Sequence, residues 1–169
     1  MRKQTIIESV NSYKDKLFRF SLKIVGNRFD AEDVLQELLI KVWKKREHFE
    51  ELENKEAWCM TVVRNLSIDK IRKRKNNYAD DISEHYAISD SAPTPDKATE
   101  VKESLSIVML LLNELPEAQK EIIHLRDIEG YTYREISEIT EMSEDQVKVN
   151  LFRARQKFKE KIKNLNFQR

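Results

Sequence analysis

Two glycines and three prolines in 169 residues leave very few positions where the chain is forced out of regular structure. With glycine so scarce there is no glycine-rich loop to cradle a phosphate. The single cysteine, Cys59, rules out a disulfide within the chain. Its setting between Trp58 and Met60 reads as a buried structural thiol rather than a nucleophile. His48, His85 and His124 are too scattered for metal-ligand spacing. No nucleophile stands beside a base, so neither an enzyme nor a cofactor is expected. No run of 18 apolar residues exists, and the start, MRKQTIIES, lacks a signal-type apolar core. The expectation is a cytoplasmic protein without membrane insertion. The net charge is only +1, so affinity for nucleic acid has to come from local patches and not from a global field.

What the chain does have is charge and helical periodicity. With 36% charged residues and so few breakers, it reads as all-α. Ile6, Ile7, Val10, Leu17, Phe18, Leu22 and Val25 mark one helix over 5–25, stopped by Gly26. Asp30 is placed as the cap of a second helix, over 31–48, in which Val34, Leu38 and Val42 form one apolar stripe. Gln36, Ile40 and Trp43 form another on roughly the opposite side, and its cover is either a third helix of the same domain or another protein. The segment HFEELENKEA is expected to be a loop, followed by a third helix over 56–75. On that helix Thr61, Asn65 and Arg72 align, with Trp58 and Asp69 at the margin and a basic IRKRK end. An indole beside amide, hydroxyl and guanidinium groups suits unpaired nucleic acid. The plainer reading makes Trp58 a core residue and the basic run a solvated helix end.

Between Tyr78 and Glu103 the composition shifts to seven acidic and two basic residues, with Pro93 and Pro95. The expected organisation is therefore two small helical domains, 1–77 and 97–169, joined by an acidic flexible linker over 78–96. Periodicity resumes with Val101, Leu105, Val108, Met109 and Leu112, and Pro116 opens the next helix at a favourable first position.

The stretch from Tyr131 to Lys159 reads as a helix-turn-helix. Ile136 and Ile139 line the inner side of its first helix, and Ser137 is small where a crossing helix approaches. After a Glu141-Met142 turn, Ser143 and Gln146 make a capping box for a second helix running to about Ile162. Val147, Leu151, Ala154, Phe158 and Ile162 fall in one packing stripe at 100° per residue. The other side carries Val149, Phe152, Arg153 and Gln156, flanked by Lys148, Asn150, Arg155 and Lys157. From Asp127 to Asp145 there are seven acidic residues and one basic; from Gln146 to Arg169 there are eight basic and one acidic. That polarity fits a recognition helix entering a phosphate-lined groove, with Phe152 available to thymine methyls. The bland alternative is a helical hairpin with a basic outer face.

Taken together, three stretches resemble the extracytoplasmic-function (ECF) sigma factors of bacterial RNA polymerase over nearly the whole chain. DAEDVLQELLIKVWK, from Asp30 to Lys44, is similar to the polymerase-binding region of that family. AWCMTVVRNLSIDKIRKRK, from Ala57 to Lys75, resembles the helix that opens the minus-10 element. HLRDIEGYTYREISEI with DQVKVNLFRARQK resembles the minus-35 reader. The resemblance implies that Asp33, Gln36, Glu37, Ile40, Lys41 and Trp43 face the clamp helices of core RNA polymerase. It implies that Asn65 and Asp69, with the loop from Phe49 to Glu56, hold a flipped base, within a minus-10 surface that includes Trp58, Thr61 and Arg72. Arg126, Lys148, Val149, Phe152 and Arg153 are implied as minus-35 contacts. Val149 stands where many relatives have a polar residue, which implies a partly apolar readout. Promoter DNA and an anti-sigma factor are the further partners implied. The competing reading is a helix-turn-helix regulator that recruits no polymerase; it has no need of the Asp33 to Trp43 face or of Trp58 and Asn65.

Overall fold

A computed structural model describes residues 2–78, 108 and 110–167, all statements of structure being confined to these. The chain divides into two compact units, Met1–Ser89 and Asp90–Arg169. No described residue lies in a strand, so the all-α expectation holds. The linker from 79 onward and the apolar periodicity over 101–107 lie outside the described residues.

In the first unit, α1 (Arg2–Ser12) and α2 (Lys14–Val25) replace the single helix expected over 5–25. The break is at Tyr13, whose φ of −116° and ψ of 12° leave the helical region. The Tyr13 ring turns inward and is buried, so tertiary packing overrides a sequence with no breaker residue. Gly26 ends α2 at φ 78°, donating its N–H to the Leu22 carbonyl, a left-handed cap that any side chain would strain. The N-cap of α3 (Arg28–Lys44) is Asn27 rather than Asp30: its Oδ1 accepts from the Asp30 N–H at 2.9 Å, and its Nδ2 donates to the Asp30 carboxylate at 2.8 Å. α3 ends at Lys44, short of residue 48, because a separate turn of helix follows. That turn is α4 (Arg46–Glu51), which occupies the first part of the expected loop. It is pinned by Phe49, which is fully buried. α5 (Lys55–Tyr78) completes the unit, packing against both α2 and α3.

The core between these helices is Leu17, Phe20, Val34, Leu38, Val42, Met60 and Val63, all essentially inaccessible. At about 1.5–3 kcal/mol for each large side chain fully buried, this cluster dominates the stability of the unit. Ser21 and Ser67 share a 3.0 Å hydrogen bond inside it, so neither hydroxyl is left unpaired where α2 and α5 approach closely. Cys59 is buried as expected, and burial pushes its thiol pKa up to about 12.

In the second unit a helical stretch over 110–113 precedes α6 (Glu117–Ile123), with Pro116 at the N-cap and not inside the first turn. α6 runs into a π-helical turn, His124–Ile128, in which the Glu129 N–H donates to the His124 carbonyl at 3.0 Å. Gly130 then takes φ 81°. The helix-turn-helix follows as α7 (Tyr133–Thr140) and α8 (Glu144–Phe167). Ile122, Leu125, Ile136, Ile139, Val147, Leu151 and Ala154 make its core. No described helix is long and apolar enough to cross a membrane.

Candidate protein and nucleic-acid interfaces

The sides of α3 separate cleanly. Ala31, Val34, Leu38 and Val42 are buried, whereas Gln36 and Lys41 are exposed and Ile40 and Trp43 keep 54% and 41% of their surface. Those percentages decide the question left open by the sequence: no described helix of the unit covers the second stripe. Arg46 lies 5.6 Å from the centre of the Trp43 ring, holding the indole at the surface by a cation–π contact. Two carboxylates of this region are already engaged. Lys70 of α5 pairs with Asp33 and lies 3.7 Å from Glu37, tying α5 to the edge of the α3 face. Burial lowers the pKa of the Lys70 ammonium, with Lys73 adding to the effect. Sequence inspection gives no sign of Lys70, because its partners lie more than thirty positions away.

Along α5 the residues Trp58, Thr61, Asn65, Asp69 and Arg72 do share one side, spaced at three or four positions. They are not equally available. Trp58 is half-buried, with its ring at 5.6 Å and 66° to Phe49, so one edge belongs to the core and the rest faces out. The Thr61 hydroxyl donates back to the Ala57 carbonyl at 3.0 Å, leaving its lone pairs as acceptors. Asn65 is exposed, and Arg72 sits 3.8 Å from Asp69 at the surface. The basic helix end is not a uniform cluster. Arg74 folds back to pair with Asp30 and to donate to the Val25 carbonyl at 3.3 Å, which clamps the α2–α3 junction onto α5. In the first turn of α5, ahead of Trp58, Glu56 is neutralised by Lys16 at 2.9 Å.

The helix-turn-helix owes its geometry to two reciprocal caps. Thr132 and Glu135 form a capping box at the start of α7, a pairing that an S/T-x-x-E scan would find at Thr132. Ser143 and Gln146 form the second, with Gln146 accepting from the Ser143 N–H at 2.9 Å and Ser143 accepting from the Gln146 N–H at 3.2 Å. Between them Glu141 adopts φ 60°, the one described non-glycine residue with positive φ. Ser137 donates to the Met142 carbonyl at 2.6 Å, so its hydroxyl closes the turn that glycine would otherwise ease.

On α8, Lys148, Val149, Phe152, Arg153 and Gln156 are exposed, Phe152 to 64%, opposite the buried Val147, Leu151 and Ala154. Phe158 is half-buried and Ile162 is 37% exposed, so the packing stripe fades toward the C-terminus. Arg155 pairs with Asp127 and so braces the π-turn; that hydrogen bond raises its pKa further. Arg126 donates to the Tyr131 carbonyl at 2.7 Å and stacks 4.8 Å from the centre of the Tyr133 ring. Lys148 approaches the same ring at 5.9 Å and lies 3.8 Å from Asp145. Tyr133 thus joins two cations that lie twenty-two positions apart in sequence. Its place at the start of α7 is readable from sequence, but its contact with both cations is not. His124 and Glu129, at the two ends of the π-turn, meet at 3.3 Å with both side chains buried.

Residues 10–77 match Sigma-70 region 2, and residues 105–158 match Sigma-70 region 4. The chain is 32% identical over 157 residues to the ECF RNA polymerase sigma factor SigM of Bacillus subtilis (strain 168), covering 92% of this chain and 93% of that one. It is 26% identical over 164 residues to SigW of the same organism, covering 92% and 88%. Among solved structures it resembles the sigma factor RpoE of Bartonella quintana, crystallised with the anti-sigma factor NepR, at TM-score 0.70 and 26% identity over 95% of this chain and 98% of the other. Two sigma regions in order, each carried by a helical unit with its own outward face, and a full-length relative at that identity lead to one conclusion: the chain belongs to the ECF sigma factors, which give RNA polymerase its promoter recognition.

Proposed function

We propose that the three outward faces divide the work of this sigma factor. The α3 face, with Gln36, Ile40, Lys41 and Trp43 and the carboxylates of Asp33 and Glu37, docks on core RNA polymerase. The α5 face, with Trp58, Thr61, Asn65, Asp69 and Arg72, receives the opened minus-10 strand. Arg126, Lys148, Val149, Phe152 and Arg153 read the duplex minus-35 element. The single observation that carries this reading is the double-sided α3: a complete buried stripe, and behind it an apolar stripe with Trp43 that no described helix covers. A monomeric surface has little reason to keep Ile40 and Trp43 in water on the same helix side, whereas aromatic anchors of this kind suit an interface.

The same surfaces suit control by a protein that hides them. RpoE of Bartonella quintana was crystallised with an anti-sigma factor, and we extend a partner of that kind to this chain. The protein itself carries no chemistry, needs no cofactor and works in the cytoplasm, lending promoter recognition and strand opening to the polymerase. Replacing Trp43 with Glu tests the central assignment. Binding to purified core polymerase should be lost while helicity and thermal stability stay near those of the parent, because Trp43 keeps 41% of its surface accessible and lies on the side of α3 opposite the buried Val34, Leu38 and Val42. A Trp43→Glu protein that unfolds, or one that still binds normally, would remove the α3 face from the interface.

A further inference from the structure

The most exposed large apolar side chain among the described residues is none of those assigned above. Phe29, in the first turn of α3, keeps 84% of its surface accessible, against 54% for Ile40 and 41% for Trp43. It does not stand alone in angle. Phe29, Asp33, Gln36, Ile40 and Trp43 follow one another at spacings of four, three, four and three, which is the 3.5-residue repeat of a coiled-coil seam. The buried stripe of the same helix, Ala31, Val34, Leu38 and Val42, looks the other way. From Phe29 to Trp43 the seam is about 21 Å long at 1.5 Å per residue. An aromatic closes each end, with polar residues and Ile40 between them.

Local structure does not account for Phe29. The N-terminus of α3 is already capped by Asn27, whose side chain accepts from Asp30, and Arg28 on the neighbouring position is spent on Glu32 at 2.7 Å. A charged or amide side chain at position 29 would suit the first turn of a helix better than Phe does.

We propose that Phe29 is a second aromatic anchor of the polymerase-binding face, so that the surface docked on core polymerase runs from the first turn of α3 to Trp43. The inference rests on the proposed docking of α3 and is continuous with that face; it adds Phe29 as an anchor and the length of the face.

The test measures affinity of the full-length chain for purified core polymerase, with Phe29→Gln, Phe29→Leu and Trp43→Glu side by side. Because Phe29 is in water in the free protein, Phe29→Gln should leave helicity and thermal stability of the isolated chain unchanged or slightly improved. Its affinity for core polymerase should fall about tenfold or more, the scale of losing one well-buried aromatic contact. Phe29→Leu, which keeps an apolar knob, should recover most of that loss. Wild-type affinity for Phe29→Gln, with binding lost in Trp43→Glu, would overturn the Phe29 assignment and leave the docking face intact. Wild-type affinity for both would overturn the docking face as well. If Phe29→Gln instead turned a dimer into a monomer in sedimentation while polymerase affinity held, the occupant would be a second copy of this chain and the proposal would be wrong.

Discussion

Replacing Tyr133 with Leu should weaken duplex minus-35 binding without touching any residue expected to contact DNA. The ring stands between the Arg126 guanidinium at 4.8 Å and the Lys148 ammonium at 5.9 Å, and so holds two like charges on one aromatic platform. A cation–π contact contributes about 0.5–1 kcal/mol at an exposed site. Two such contacts give about 1–2 kcal/mol of pre-organisation, equivalent to roughly five- to thirtyfold in affinity. The lower end is the safer expectation for Arg126, which keeps its 2.7 Å bond to the Tyr131 carbonyl after the ring is gone. Lys148 retains only Asp145, at 3.8 Å and in solvent. Anisotropy titrations of the holoenzyme on duplex DNA, repeated over a range of salt concentrations, would read both quantities. Loss of one positioned phosphate contact should make the slope of log K against log salt shallower by about 0.9. Tyr133→Phe should behave like the parent, since the ring face and not the hydroxyl holds the cations. Equal loss in Phe and Leu variants, or no loss in Leu, would refute the clamp.

Three further outcomes follow from the same geometry. Ser143→Ala removes one half of the α8 capping box and should cost about 1 kcal/mol in thermal or urea unfolding, with DNA contacts themselves unaltered. Asn65→Ala, at an exposed site, should change stability by no more than about 0.5 kcal/mol. It should spare duplex binding yet reduce permanganate reactivity of unpaired thymines in the open promoter; normal opening would place the base pocket elsewhere. For Cys59, the folded thiol pKa of about 12 lies above the unfolded value, so the unfolded chain releases its proton first as pH rises. The stabilising contribution is therefore complete below about pH 8.5 and declines above it, by up to about 1.4 kcal/mol per pH unit until the folded pKa is reached. The buried Tyr13 phenol is raised in the same direction, chiefly by desolvation. Alkylation of Cys59 at pH 8 should accordingly be negligible in the native protein and rapid in urea; rapid labelling of the folded chain would show the thiol to be accessible.

Much of this fold was legible in the sequence because it rests on local periodicity. Val34, Leu38 and Val42 define the inner side of α3 by spacing alone, and Ser143 with Gln146 announces the start of α8 from four residues. What escaped was set by contacts distant in sequence. Tyr13 has helical neighbours on both sides and breaks the helix only because its ring is drawn into the core. α4 hides among glutamates, and only the burial of Phe49 beneath Trp58 reveals why it forms. The Asn27–Asp30 pair offers two capping residues three positions apart, and sequence alone does not say which stands at the N-cap. The interfaces divide in the same way. The outward sides of α3, α5 and α8 could be drawn on a helical wheel. The ties from Lys70 to Asp33, from Arg74 to Asp30 and from Arg155 to Asp127 could not, and neither could the ring between Arg126 and Lys148.

The most direct test of the whole account is transcription reconstituted from this protein, purified core polymerase and DNA carrying randomised promoter sequence. Transcribed templates should be enriched in two separated elements: Arg153→Ala should blur selection at the upstream one alone, and Asn65→Ala at the downstream one alone. Transcription that does not depend on the protein, or binding to a single upstream element with no recruitment of polymerase, would contradict it.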